Sequence, residues 1–182
     1  MNSLPQIPRA WRIPGLFLFL ALALASGGCN GPDAKYLPEL YMESPSDTGI
    51  PVEMPLSHVT YYRMKDPFMT ADRFESVALV KYDLGNALLF TFSSDFGRDA
   101  LYTATAHFKG KRIFLLLSGK PMGAFYIDPN SQPIDTAMIP IWAQEIPEKD
   151  LLPDPKTNAP GPFMKDLQDS IAAIQKRVND SK

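Results

Sequence analysis

The sequence predicts an α+β fold in two layers: one helix packed on a mostly antiparallel sheet in a ββαββ-like order, plus a separate C-terminal helix. Three observations predict it. Between residues 57 and 146, short runs of β-branched and aromatic residues alternate with glycine turns. Within that region a single stretch, Asp95 to Phe108, carries apolar residues at three- and four-residue spacing. A second helical pattern starts at Pro162, beyond a proline-rich segment.

Residues 1–28 have the pattern of an export signal. Arg9 and Arg12 supply positive charge, Leu16 to Ala25 is an unbroken apolar run, and Ser26-Gly27-Gly28 lead into Cys29. The run is about half the roughly 20 residues that a spanning helix requires. Cys29 is the only cysteine in the chain. It stands where a lipobox places the acylated first residue of a mature lipoprotein, although Ser26 occupies a position where such motifs usually carry leucine. Cleavage at the A-x-A triplet Ala23-Leu24-Ala25 and an uncleaved anchor remain as alternatives. Asn30, not aspartate, follows the cysteine. The expected location is therefore the cell envelope, lipid-anchored and facing the periplasm, with the outer membrane favoured in a Gram-negative cell.

Much of the proline, 18 residues in all, falls in two stretches. Pro32, Pro38, Pro45, Pro51 and Pro55 mark residues 29–56 as an extended tether, and Pro147, Pro153, Pro155 and Pro160 mark 147–161 as a linker. The folded domain is expected over 57–146. Ser57 to Met64 opens it as a strand that ends at Asp66-Pro67, and Thr70 caps a short turn through Phe74. Val77–Leu84 and Ala87–Ser93 form a hairpin about Gly85-Asn86. A helix then starts at Ser93 or Ser94, with Asp95 in its first turn and Gly110 as its C′ residue. Gly97, Ala100, Leu101, Ala104, Thr105 and Phe108 make its packing stripe. Arg112–Ser118 and Pro121–Asp128 form a second hairpin about Gly119-Lys120, and Ala137–Gln144 adds a short strand that Pro140 restricts to an edge or bulge.

In the tail, residues 162–179, Pro162 suits a first helical turn, and Met164, Leu167, Ile171, Ile174 and Val178 form an a/d seam. Two heptads allow either docking on the same domain or association with another protein. Phe114, Leu116, Phe125 and Ile127 are candidates for the sheet face away from the helix. They are either covered by a proline-rich flank or by the N-terminal strand, or exposed as a partner-binding patch.

Several stretches resemble the head of the first periplasmic domain of the SecD and SecDF family. Asp66-Pro67-Phe68-Met69-Thr70-Ala71-Asp72-Arg73-Phe74 resembles that family's turn, and Gly97, Leu101 and Thr105 keep its helix spacing. Gly110-Lys111-Arg112-Ile113-Phe114-Leu115-Leu116-Leu117-Ser118-Gly119-Lys120 is the best-matched stretch. Ser118 replaces an acidic residue, Phe108 stands where asparagine is common, and Gly123-Ala124-Phe125 lacks the family's S-A-P proline. The resemblance implies a head-like domain that contacts polypeptide. Because no later transmembrane segment is expected, that domain would be detached and held by its lipid.

Other chemistry is sparse. Two histidines, His58 and His107, lie on different elements without metal-ligand spacing, and no metal or other cofactor is expected. Asp95 and Asp99 are better explained as a solvated face than as an acid/base pair, and Lys109, Lys111, Arg112 and Lys120 as turn charges. A net charge of −2 leaves no footprint for nucleic acid. The expected function is a non-enzymatic envelope lipoprotein that binds a polypeptide or protein partner. The alternative is an assembly subunit of an envelope complex joined through its C-terminal helix.

Overall fold

A computed structural model describes residues 34–181. The export signal and Cys29 lie outside the described residues. Among the described residues, eight strands and three helices follow in chain order: β1 (Pro38–Met42), β2 (Ile50–Glu53), β3 (Thr60–Arg63), β4 (Phe74–Tyr82), β5 (Gly85–Phe92), α1 (Ser94–His107), β6 (Arg112–Leu117), β7 (Lys120–Tyr126), β8 (Met138–Trp142), α2 (Glu148–Leu151) and α3 (Pro162–Asp180). A 3₁₀ turn, Ala71–Arg73, precedes β4. Six strands form one antiparallel sheet in the order β1-β6-β7-β8-β5-β4, and β2 and β3 form a separate hairpin. The α+β class with a C-terminal helix is as expected, although the sheet is larger and two long helices, α1 and α3, share its inner face.

The inner face is built by alternation. Leu88, Phe90 and Phe92 of β5, Ile113, Leu115 and Leu117 of β6, and Ile139 and Ile141 of β8 are buried together with Leu101 and Ala104 of α1. Phe74 meets Phe90 and Phe92 edge-on, at 5.2 and 4.9 Å between ring centres. α3 packs on β4, with Gln168 Nε2 donating to the Val77 carbonyl (3.2 Å) and Gln175 Nε2 to that of Phe74 (2.7 Å).

Four expectations need correction. Residues 29–56 are not a tether throughout, because β1 and β2 lie within them. Leu40 and Met42 face the inner core while Tyr41 packs on the other side, so this strand is buried on both faces, and Pro38 is its first residue, where a ladder donor can be spared. Residues 57–64 give a shorter strand, β3, which pairs with β2 and not with the main sheet. Both hairpin turns sit earlier than expected: Asp83-Leu84 join β4 to β5, and Gly85 (φ 128°) closes the pair with Tyr82. Ser118 and Gly119, with φ of 49° and 80°, form the two-residue turn between β6 and β7.

The fourth concerns Pro140, which lies inside the sheet and not at its edge. It pairs in register with Leu89, between rungs such as Phe92 N–H to Ala137 O (2.9 Å) and Ala143 N–H to Asn86 O (3.1 Å). The donor that proline lacks would point toward β7, and β7 pairs with β8 only at Ala124 and Trp142. The ladder is already open there.

Candidate binding face

The outer face of the sheet is covered on one side and open on the other. Over β1, β6 and β7, the side chains of Tyr41, Phe114, Leu116 and Ala124 form a small buried cluster roofed by Tyr61 of β3. Tyr61 and Phe114 are 5.5 Å apart between ring centres. Arg112 borders this cluster. Its guanidinium lies 3.2 Å from the Glu43 carboxylate, 4.7 Å from the Tyr61 ring centre and 5.5 Å from that of Tyr126. Burial, reinforced by a hydrogen bond to Glu39, raises the Tyr41 hydroxyl above its ordinary pKa of 10.0.

Over β4, β5 and β8, no element among the described residues lies on the outer face. Register brings Ala78 beside Leu89 and Leu89 beside Pro140, then Val80 beside Ala87 and Ala87 beside Trp142. Tyr82 meets Trp142 edge-on at 5.6 Å. Tyr82, Met138 and Tyr126 are exposed, while Val80, Leu89, Pro140 and Trp142 are half-buried. The result is a pleated apolar strip two to three strands wide.

At its β7 side the strip runs into a cleft of about 450 Å³ beneath the β2–β3 hairpin. Met54, Val59 and Tyr61 form one wall, and Arg112, Ala124 and Gln144 form the other. Glu145 fixes the hairpin tip to the sheet. Its buried carboxylate accepts from Leu56 N–H (2.6 Å), Ser57 N–H (3.2 Å) and Ser57 Oγ (2.8 Å). Gly123 sets the floor where β7 approaches β8, because a Cβ there would lie 2.1 Å from the Trp142 carbonyl oxygen.

The residues expected to form one partner-binding patch do not share a face. Phe114 pairs with Ala124 and Ile113 with Phe125, so Phe114 and Leu116 point outward while Phe125 and Ile127 pack with the inner core. Phe114, Leu116 and Ile127 are each 1% exposed or less, and a buried side chain cannot receive a partner without unfolding. The C-terminal seam is also occupied: Met164, Leu167 and Ile171 are buried in the same core, Ile174 is buried and Val178 is half-buried, leaving no apolar stripe on α3 for another protein.

The sequence reading missed the open strip. Its signal was present, since Val77-Ala78-Leu79-Val80 is apolar on both faces of a strand with only one helical layer to cover them. His58 lies 3.2 Å from Glu53 and His107 2.9 Å from the Thr103 carbonyl, both exposed. Asp95 and Asp99 are solvated, with Arg98 3.7 Å from Asp99. Among the described residues no group of three His, Cys, Asp or Glu side chains could hold a metal, and no helix is long and apolar enough to cross a membrane.

No family model matches the chain, and no curated protein matches it. Its fold is similar to that of a solved structure of the membrane component SecDF, which enhances protein export. The two are 14% identical, with a TM-score of 0.51, over 94% of this chain and 71% of that one. SecDF in a super-membrane-facing form also aligns, at 13% identity and a TM-score of 0.46, over 77% of this chain and 18% of that one. The first likeness is one of fold alone.

Proposed function

We propose that the chain is a non-enzymatic envelope lipoprotein, exported and held by a lipid on Cys29, that binds extended polypeptide. The binding surface is the open outer face of β4, β5 and β8 together with the cleft beneath the β2–β3 hairpin. One observation carries this reading: half of the outer face is roofed by the chain's own hairpin, while the adjoining half bears Tyr82, Leu89, Pro140 and Trp142 without cover. Contiguous apolar surface of this kind is rare on single domains without a binding role. Aromatic rings contribute large contact area at low conformational cost, which suits segments of varied sequence. The SecDF fold likeness supports the same reading, since that component enhances protein export.

Trp142 supplies the assay, because it is the single tryptophan of residues 29–182. Titration of the mature chain with a reduced, unfolded, tryptophan-free polypeptide is expected to shift its emission to shorter wavelength and to saturate. Leu89→Asp is expected to weaken the interaction about tenfold without lowering the melting temperature by more than a few degrees. Unchanged emission with excess polypeptide would refute this surface as the site. The anchor is tested separately, by the mass of the N-terminal peptide from membrane-extracted protein.

A further inference from the structure

Among the described residues, the four exposed leucines gather at one end of the sheet. They are Leu37 (48% exposed), Leu56 (55%), Leu84 (87%) and Leu152 (38%). Each lies on a different connection. Leu84 is in the β4–β5 turn. Leu37 precedes β1 and is hydrogen-bonded to the β6–β7 turn, with Ser118 N–H donating to its carbonyl at 2.9 Å. Leu56 is in the β2–β3 hairpin tip that Glu145 fixes to the end of β8. Leu152 follows Leu151, which lines the same crevice as Leu84 and Gly85. Antiparallel pairing requires this convergence, because the start of β1, both tight turns and the end of β8 fall at the same end of the sheet.

The chain enters the fold at that end. Four residues, Asn30 to Asp33, separate Cys29 from Ala34. Even fully extended, the five steps from Cys29 to Ala34 reach no more than about 18 Å. β4 alone has nine residues, and at about 3.3 Å each it is roughly 30 Å long. A lipid on Cys29 could therefore bring the leucine-bearing end to the bilayer, while the opposite end would remain beyond reach of the surface. Tyr36 N–H donates to Ser170 Oγ of α3 (3.1 Å), with Lys35 paired to Asp166 beside it, so the entry segment is held against α3 and does not lengthen the tether. The connections at this end carry both signs of charge, with Asp83 and Lys120 at the two tight turns and Glu148, Lys149 and Asp150 in α2 after β8.

From these observations we infer that Leu37, Leu56, Leu84 and Leu152 form a membrane-docking end that rests on the lipid surface and holds the domain upright. The occupant is the bilayer itself, met through apolar insertion and not through charge. This inference rests on the proposed lipid anchor at Cys29. It adds an orientation: the outer face of the sheet stands roughly perpendicular to the membrane, open to chains passing beside it.

The test places a tryptophan at each end in a Trp142→Phe background. The mature lipidated chain, carrying Leu84→Trp, Leu56→Trp or, as control, Tyr102→Trp on α1, is reconstituted in phosphatidylcholine vesicles containing brominated acyl chains. Emission at positions 84 and 56 is expected to move to shorter wavelength and lose intensity, while that at 102 stays unchanged. Leu84→Asp in the Leu56→Trp chain is expected to reduce the quenching. Equal quenching at all three positions, or none at 84 and 56, overturns the inference. Should the N-terminal peptide carry no lipid, the anchor reading fails. The docking end is then tested alone by joining the Cys29 thiol to a maleimide lipid, and absence of quenching at 84 and 56 would overturn it there too.

Discussion

Leu167→Ala tests whether α3 belongs to this domain or to a partner. Leu167 is fully buried, in one apolar cluster with Val77, Met164 and Ile171. Gln168 and Gln175 tie the helix to β4 backbone carbonyls at 3.2 and 2.7 Å on either side of Ile171. The helix is thereby held from sliding into the space that truncation leaves, so the loss belongs in the upper part of the usual range, about 3–4 kcal/mol. In a domain of about 150 residues each kcal/mol lowers the melting temperature by roughly 2–4 °C, which gives a fall of about 6–16 °C. Val178→Ala, at a half-buried position one turn from the C-terminus, is expected to cost less than about 1 kcal/mol. Urea unfolding followed by circular dichroism, with light scattering at each protein concentration, checks both. An unchanged midpoint accompanied by loss of a dimer would refute docking of α3 on its own sheet.

Three further outcomes follow from single sites. Gly123→Ala forces β7 away from the Trp142 carbonyl and is expected to destabilise by about 1–3 kcal/mol, measured by urea titration, because backbone and not a flexible side chain stands in the way. Glu145→Ala removes the acceptor for two backbone N–H groups and one hydroxyl at the hairpin tip; the expected loss is about 2–3 kcal/mol, with faster amide exchange at Leu56 and Ser57. Tyr41 has a raised folded-state pKa, so its neutral form favours the native chain. Stability from this group is complete below the ordinary value of 10.0 and falls as pH rises through the raised value. Tyr41→Phe should therefore flatten the alkaline limb of the stability curve, and an identical limb in both proteins would contradict the assignment.

The central hairpins and α1 were legible because glycine and periodicity act locally. Gly119 (φ 80°) turns the chain, as backbone geometry there demands, while α1 ends earlier than expected, at the C-cap Phe108, and Gly110 (φ 77°) lies two residues on, in the turn to β6, where its N–H donates to the Ile127 carbonyl (2.8 Å). The turns were misplaced by a residue or two because Ser118 adopts positive φ, a conformation a serine seldom takes, and Gly85 closes its turn instead of occupying the middle. β1 was illegible for a different reason. Pro38-Glu39-Leu40-Tyr41-Met42 has no alternation to reveal it, since both faces are buried, and the prolines around it suggested a tether. The candidate site depended on hairpin register, and a one-residue difference decides which of Phe114 and Phe125 faces outward. Pairing of Phe114 with Ala124 separates them.

The arrangement of covers narrows what the open strip can be. A sheet usually risks association at its edges, where backbone donors and acceptors lack partners. Here the β1 edge is sealed by the loop before β4, through Leu40 N–H to Met69 O (2.9 Å), Phe68 N–H to Leu40 O (3.0 Å) and Met64 N–H to Met42 O (2.8 Å). The first half of the β4 edge is sealed by the glutamines of α3. The inner face is filled by α1 and α3, and the β1-β6-β7 half of the outer face by the β2–β3 hairpin. A chain that seals one edge, half of the other and three of its four half-faces has the means to close the last. Ala78 and Pro140 present little bulk, while Tyr82 and Trp142 supply broad rings at one end of the strip. Small residues beside two aromatic rings leave a flat apolar strip without a protruding knob, in keeping with the proposed binding of an extended segment.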